Sequence, residues 1–261
     1  MRPTAEITRR QFVALGASVV SFACAGSAAG RADDDNRNGR LRSRVPKTPP
    51  TGTPATGAQA LGLDSGRDGV IYIPDGLTGP APFLLLLHGA TGSAAGIIGR
   101  TNIFKHADVL KMVVVVPDSR KTTWDAIRGV FGPDAAYIDR ALALAFSKAA
   151  IDPKRVAVAG FSDGATYALS LGLINGDLFT HVAAFSPGFF VAEERHGSAK
   201  FFVSHGQQDE ILPIETTSRR LVPVLEDAGY DITYREFNGP HTVPPQVAIE
   251  AFEWIAGRKE K

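Results

Sequence analysis

Three residues far apart in the chain, Ser162, Asp209 and His241, are of the types from which a nucleophile for a carbonyl carbon can be assembled. A serine hydroxyl attacks only when a base takes its proton, and the base in turn needs a third group to orient it and stabilise its cation. The serine lies in Gly160-Phe161-Ser162-Asp163-Gly164, after the apolar run Val156-Ala157-Val158-Ala159 and before a helix-period segment that starts at Asp163. G-x-S-x-G at a strand-to-helix junction makes a turn so tight that Cβ atoms two residues either side of the serine would strike backbone. The serine itself is forced into a strained conformation that exposes its hydroxyl. Outside that context the same five residues describe an ordinary loop serine, so the flanking strand and helix carry the argument.

Asp209 sits in the loop that follows the apolar run ending at Ser204, and His241 sits between the last strand-like and the last helix-like segments. The order Ser162, Asp209, His241 suits a parallel sheet whose reactive residues leave the carboxyl ends of different strands. Glu210, Asp227 and Asp231 compete with Asp209, and five other histidines compete with His241. His88 and His205 each precede a glycine at a strand end, where histidine more often braces a loop than reacts; His106, His181 and His196 lack a partner signal. No two histidines have ligand spacing, and the single cysteine, Cys24, excludes an internal disulfide and any zinc framework of two or more cysteines. No metal and no cofactor are expected. The oxyanion formed by attack needs preorganised donors, and the Asp163 N–H at a helix start is one. Trp124, Phe189 and Phe190 are candidates for a substrate pocket, each with cover over the core as an equal reading.

Around these residues, strand-length apolar runs at 70–73, 83–88, 112–116, 156–160, 182–185, 201–204 and 232–237 alternate with helix-period segments at 96–110, 133–150, 163–174, 213–228 and 244–256. Runs such as Phe83-Leu84-Leu85-Leu86-Leu87 are unbroken, the pattern of strands buried on both faces. The expected fold is therefore α/β, a doubly wound, mostly parallel sheet with helices on both faces. The 13 residues 187–199, between two of the strands where a cap could be inserted, are too few for a helical cap domain.

The first 25 residues read as an export signal: Arg9-Arg10-Gln11-Phe12 in a twin-arginine-like arrangement, a mildly apolar segment, and a small-residue cleavage site at Ala23-Cys24-Ala25. Lipid anchoring at Cys24 is the lesser reading, because the residue three before it is not leucine. Residues 26–60 read as a flexible Pro/Thr/Gly/Arg-rich linker and 61–261 as the catalytic domain. Lys+Arg against Asp+Glu is 28 to 27 over 261 residues, which speaks against a nucleic-acid partner. No apolar run reaches the roughly 18 residues that would span a bilayer.

From about Gly69 the chain resembles the α/β-hydrolase superfamily, and within it the phospholipase/carboxylesterase and polyhydroxyalkanoate-depolymerase-like esterases. The residues that carry the likeness are Leu87-His88-Gly89, Asp152-Pro153-Lys154-Arg155-Val156 leading into the G-x-S-x-G turn, the H-G-x-x-D-x-x-x-P pattern from His205 to Pro213, and Gly239-Pro240-His241. The resemblance implies a serine esterase acting on a small-molecule ester through an acyl-enzyme. It assigns the second oxyanion donor to the Ala90 N–H, with the Thr91 side chain as an alternative. Asp163 departs from the residues that commonly follow the nucleophile, so its carboxylate must point away from the oxyanion. A polyester depolymerase or thioesterase would share the same residues. A peptidase usually adds a substrate-orienting domain, and a non-catalytic binding protein normally loses one of the three residues.

Overall fold

In this computed structural model, which describes residues 38–258, the apolar runs form the middle layer. The expected leader, with Arg9, Arg10 and Cys24, lies outside the described residues. Eight strands form one sheet: β1 Gly57–Ala60, β2 Gly69–Ile73, β3 Ala81–Leu87, β4 Val113–Pro117, β5 Ile151–Phe161, β6 His181–Phe185, β7 Lys200–Gly206 and β8 Ile232–Phe237. Their order is β1-β2-β4-β3-β5-β6-β7-β8, with β1 and β2 antiparallel to their neighbours and the other six parallel. The central strands supply both faces at once. Leu85, Leu87, Val113, Val115, Val156 and Val158 point to one side, and Leu84, Leu86, Val114, Val116, Ala157 and Ala159 to the other.

Helices α3 Pro133–Lys148, α4 Asp163–Ile174 and α5 Ser218–Asp227 cover the first side; α1 Ala94–Thr101, α2 Ile103–Leu110 and α6 Pro245–Ala256 cover the second. The doubly wound architecture expected from the sequence is the one observed. The helix expected over 96–110 is divided, because Asn102 takes a left-handed conformation (φ 50°) that ends α1 and starts α2. Between β6 and β7 the chain makes no helix, so no helical cap is inserted between these strands.

The linker expected over 26–60 needs correction in its second half. Leu41 is buried, and the fully buried Asn175 holds this segment through its side chain, accepting from the Leu41 N–H (2.9 Å) and donating to the Gly39 carbonyl (2.9 Å). Arg40 grips both oxygens of Asp177 at 2.5 Å, and Arg44 adds a third contact at 2.8 Å. These guanidinium groups hold the Asp177 carboxyl well below the usual range. Strand β1, Gly-Ala-Gln-Ala, adds an edge to the sheet within the same stretch. A strap held by one leucine and side-chain-to-backbone bonds has no apolar period by which a sequence could announce it.

Candidate active site

Ser162 sits between β5 and α4 with φ 58° and ψ −121°, a conformation L residues rarely adopt. Its N–H is tied to the Phe185 carbonyl at the end of β6 (2.9 Å). A Cβ on Gly160 would collide with the Gly164 carbonyl, and one on Gly164 with the carbonyls of Leu87 and His88, so both flanking glycines are required by backbone rather than by movable side chains. The strain at Ser162 is thus fixed by packing on both sides.

The Ser162 hydroxyl lies 2.9 Å from Nε2 of His241, and Nδ1 of His241 lies 2.5 Å from Oδ2 of Asp209. The three residues singled out in the sequence therefore form one hydrogen-bonded chain. Asp209 has its other oxygen filled by the N–H groups of Ile211 (3.0 Å) and Leu212 (2.8 Å). Burial pushes its carboxyl up, but the Leu212 N–H and the His241 bond outweigh that, so it stays ionised below the ordinary carboxylate range. Among the rival acids, Glu210 is exposed, Asp231 pairs with Lys200 at 3.0 Å, and Asp227 closes α5. The loop carrying His241 is held against the loop carrying Asp209 by backbone: the Gln208 N–H donates to the Gly239 carbonyl at 3.0 Å, and a Cβ on Gly206 would strike the carbonyls of Gly239 and Pro240. The imidazole of His241 rests on the Phe161 ring, with centroids 4.7 Å apart.

His205 and His88 stand behind the chain. Buried His205 receives the Ser218 hydroxyl on Nδ1 (2.7 Å) and faces the Leu212 carbonyl (2.8 Å) and Asp209 (3.1 Å) with Nε2. His88 accepts the Ser119 N–H on Nε2 (3.0 Å) and turns Nδ1 to the Gly89 carbonyl (2.7 Å). Burial holds both below the ordinary histidine value, which keeps each ring neutral with its proton on the nitrogen that faces a carbonyl. Among the described residues, no three His, Cys, Asp or Glu side chains gather as metal ligands.

Gly89 lies against Ser162, since a Cβ built on it would be 3.2 Å from the Ser162 Cβ. Next to it, Ala90 is exposed and its N–H has no acceptor among the described residues; the same is true of the Asp163 N–H. Thr91 is different. Its N–H donates to the Thr122 carbonyl (2.6 Å) and its hydroxyl to the Ala90 carbonyl (2.7 Å), so neither donor is available to a substrate. The Asp163 carboxylate is held by the Thr123 hydroxyl (2.5 Å), which fixes where that charge sits relative to the free N–H.

Residues 135–255 match the phospholipase/carboxylesterase family. The chain is similar in structure to the S-formylglutathione hydrolase of Staphylococcus aureus, with a TM-score of 0.63 at 17% identity over 80% of this chain and 100% of that one. It is similar also to an acetyl xylan esterase of Aspergillus awamori (TM-score 0.58, 16% identity, 76% and 99% covered) and to the carboxylesterase of Bacillus cereus (0.54, 19%, 75% and 96%). The fold is that of the α/β hydrolases. No curated protein matches the sequence.

Within this fold Trp124 does not line a pocket. It is fully buried, with its ring on Tyr167 (centroids 5.3 Å) and its indole N–H on the His88 carbonyl (2.8 Å), so it supports the loop that carries Ala90. Phe190 also packs inward against the core, under Arg195. Phe189 is 42% exposed and remains free to meet a ligand. Sequence reasoning missed Thr123 and the whole bracing role of the loop 119–132, which has neither period nor motif to reveal it.

Proposed function

We propose that the chain is an exported serine carboxylesterase that cleaves short to medium acyl esters through an acyl-enzyme. The observation that carries this reading is the unbroken Ser162–His241–Asp209 chain on a strained turn beside two unpartnered N–H groups. His241 takes the Ser162 proton as the hydroxyl attacks the ester carbonyl, and Asp209 holds the imidazole in the required tautomer and stabilises its cation. The oxyanion is received by the N–H groups of Ala90 and Asp163, each worth roughly 3–4 kcal/mol in such holes. His241 then protonates the leaving alcohol, and a water activated by the same ring releases the acid.

Export rests on the Arg9-Arg10-Gln11-Phe12 segment and the small residues around Ala25, which put the mature start near Gly26 or Gly30. Short to medium esters are favoured because the 14 residues between β6 and β7 make no helix that could close over the site. A panel of p-nitrophenyl esters of rising chain length, beside a polyester film and an acyl thioester, tests the reading. Turnover should be greatest on the short and medium oxygen esters, with labelling by a fluorophosphonate that Ser162→Ala abolishes. With tributyrin the rate should saturate below the solubility limit; a rise only once droplets form would sink the capless reading. N-terminal sequencing of protein from the native host tests export, and a chain starting at Met1 outside processing would refute it.

A further inference from the structure

We propose that Asp134, acting with Asp125, is a positioning residue for the oxyanion hole: the two carboxylates clamp the loop between them into the shape that holds both N–H walls in place. The inference rests on the esterase reading above. Asp134 belongs to the first turn of α3 and is 2% exposed. An acid in a first turn ordinarily faces the N–H groups of its own helix. Asp134 instead accepts the Arg120 N–H on Oδ1 (2.5 Å) and the Asp125 N–H on Oδ2 (2.8 Å), so one carboxylate closes both ends of a six-residue span. Asp125 answers from the other side. Its Oδ2 accepts the Asp134 N–H (2.8 Å), and its Oδ1 accepts the Ala126 N–H (2.7 Å) and the hydroxyl of Tyr167 (2.8 Å), which is buried on the helix that begins after the nucleophile.

What the clamped span carries gives it a purpose. The Thr122 carbonyl holds the Thr91 N–H, the Thr123 hydroxyl holds the Asp163 carboxylate, and the Trp124 indole holds the His88 carbonyl. Ser119, one residue outside the span, donates to His88 Nε2. Each of these bonds ends beside Ala90 or on Asp163, the two proposed donors. The span is a bridge between the walls of the hole, and the buried carboxylate of Asp134 with the half-buried one of Asp125 keeps its length fixed.

The clamp is also titratable. Burial, then the charge of Asp125, push the Asp134 carboxyl up to about 6, against the pull of the Arg120 and Asp125 N–H groups and the Arg120 guanidinium. Protons reach it through a cleft of about 280 Å³ lined by Arg120, Lys121, Asp125, Arg128, Pro133 and Asp134. From α4 it faces the Tyr167 hydroxyl through Asp125, and Arg120 links it to Asp64 by an ion pair and to Tyr137, which is bonded to Asp68. A protonated Asp134 offers a weakened acceptor to one of its two N–H partners and slackens one end of the span.

Asp134→Asn tests this, because the amide keeps one acceptor and turns an N–H2 toward the other backbone N–H, fixing the slackened state at every pH. Folded variant should lose about ten- to a hundredfold in kcat on p-nitrophenyl butyrate, the size of effect that a small misplacement of catalytic groups produces, with KM changed less than threefold. In the wild type, log kcat should fall on the acid side with a slope greater than one, Asp134 adding its proton to the profile; in Asp134→Asn the slope should be one. Thr123→Val, which spares the clamp and removes only its bond to Asp163, should give a smaller kcat loss with the wild-type slope, and serves alongside the wild-type profile if Asp134→Asn does not fold. A folded Asp134→Asn with kcat within twofold of wild type, or a wild-type acid limb of slope one, overturns the inference while leaving the esterase reading intact. A wild type with neither turnover nor phosphonate labelling overturns the esterase reading instead.

Discussion

The two walls of the proposed oxyanion hole are built by different physics. On the Asp163 side, the turn is dictated by backbone contact: Gly160 and Gly164 have no room for a Cβ, and Ser162 is held at φ 58° between β5 and α4. On the Ala90 side, the loop is held by hydrogen bonds from a second loop, which is itself held by the buried carboxylate of Asp134. A wall made by steric exclusion is insensitive to pH and is set by local sequence. A wall made by polar bonds depends on the charge state of distant groups and responds to conditions. Rigidity in one region and tunability in the other can thus coexist within one site.

The largest effect should come from the residue both walls serve. Ser162→Ala should cut ester turnover by about 10⁴-fold or more and abolish phosphonate labelling, and His241→Ala should come near it, since such groups act as a unit. Retained turnover in Ser162→Ala, measured with active-site titration to exclude contamination, would remove the comparison altogether. Next, Gly164→Ala should break the steric wall: with a carbonyl rather than a side chain in the way, overpacking should destabilise by about 3 kcal/mol or more. For a chain of this size that corresponds to a Tm lower by about 6–12 °C by calorimetry. An unchanged Tm would mean that this wall is softer than its geometry implies.

The polar wall should yield more gently. Trp124→Phe keeps most of the buried ring and removes the indole donor, leaving the buried His88 carbonyl short of a partner at a cost of about 1–3 kcal/mol. Urea denaturation should register that loss, and kcat should fall severalfold while KM holds. The smallest effect is a pH dependence of stability. His88 and His205 are held below their ordinary value in the folded chain, so the unfolded chain binds protons more readily; their contribution is intact above pH 6.5 and lost as the pH falls below it. Asp134 works in the opposite sense, because a carboxyl raised to about 6 takes up its proton more readily when folded and regains stability as the pH falls through that value. Urea midpoints between pH 7 and pH 5 should therefore decline more steeply in Asp134→Asn than in the wild type. Parallel declines would show that the two walls do not differ in this respect.

How much of this could be read from the sequence follows the same division. The sheet was legible because strands buried on both faces must be apolar without interruption, as Phe83 to Leu87 and Val113 to Val116 are. The turn at Ser162 was legible because only glycine fits at two fixed offsets from it. The break at Asn102 was not, since a single residue in a left-handed conformation leaves the helical period around it intact. Trp124, Asp125 and Asp134 were illegible as supports of the site because their work is done by bonds between side chain and distant backbone, which leave no spacing behind. Strand β1 was missed because Gly57-Ala58-Gln59-Ala60 pairs through its backbone alone.

The strap at residues 39–44 sets a limit on how short the chain can be made. Its removal would strip the buried side-chain amide of Asn175 of both partners on that segment and leave Asp177 without either arginine. Gly39 takes φ 76° and lies against the Phe131 and Ile174 side chains, so a larger residue there is strained, which leaves little freedom for a fused tag or a cloning scar at that point. A truncation series should therefore show a plateau of melting temperature for starts up to Asn38 and a step down for starts after Arg44. The usable N-terminal boundary is set by the reach of one asparagine, about 20 residues before the first strand of the sheet.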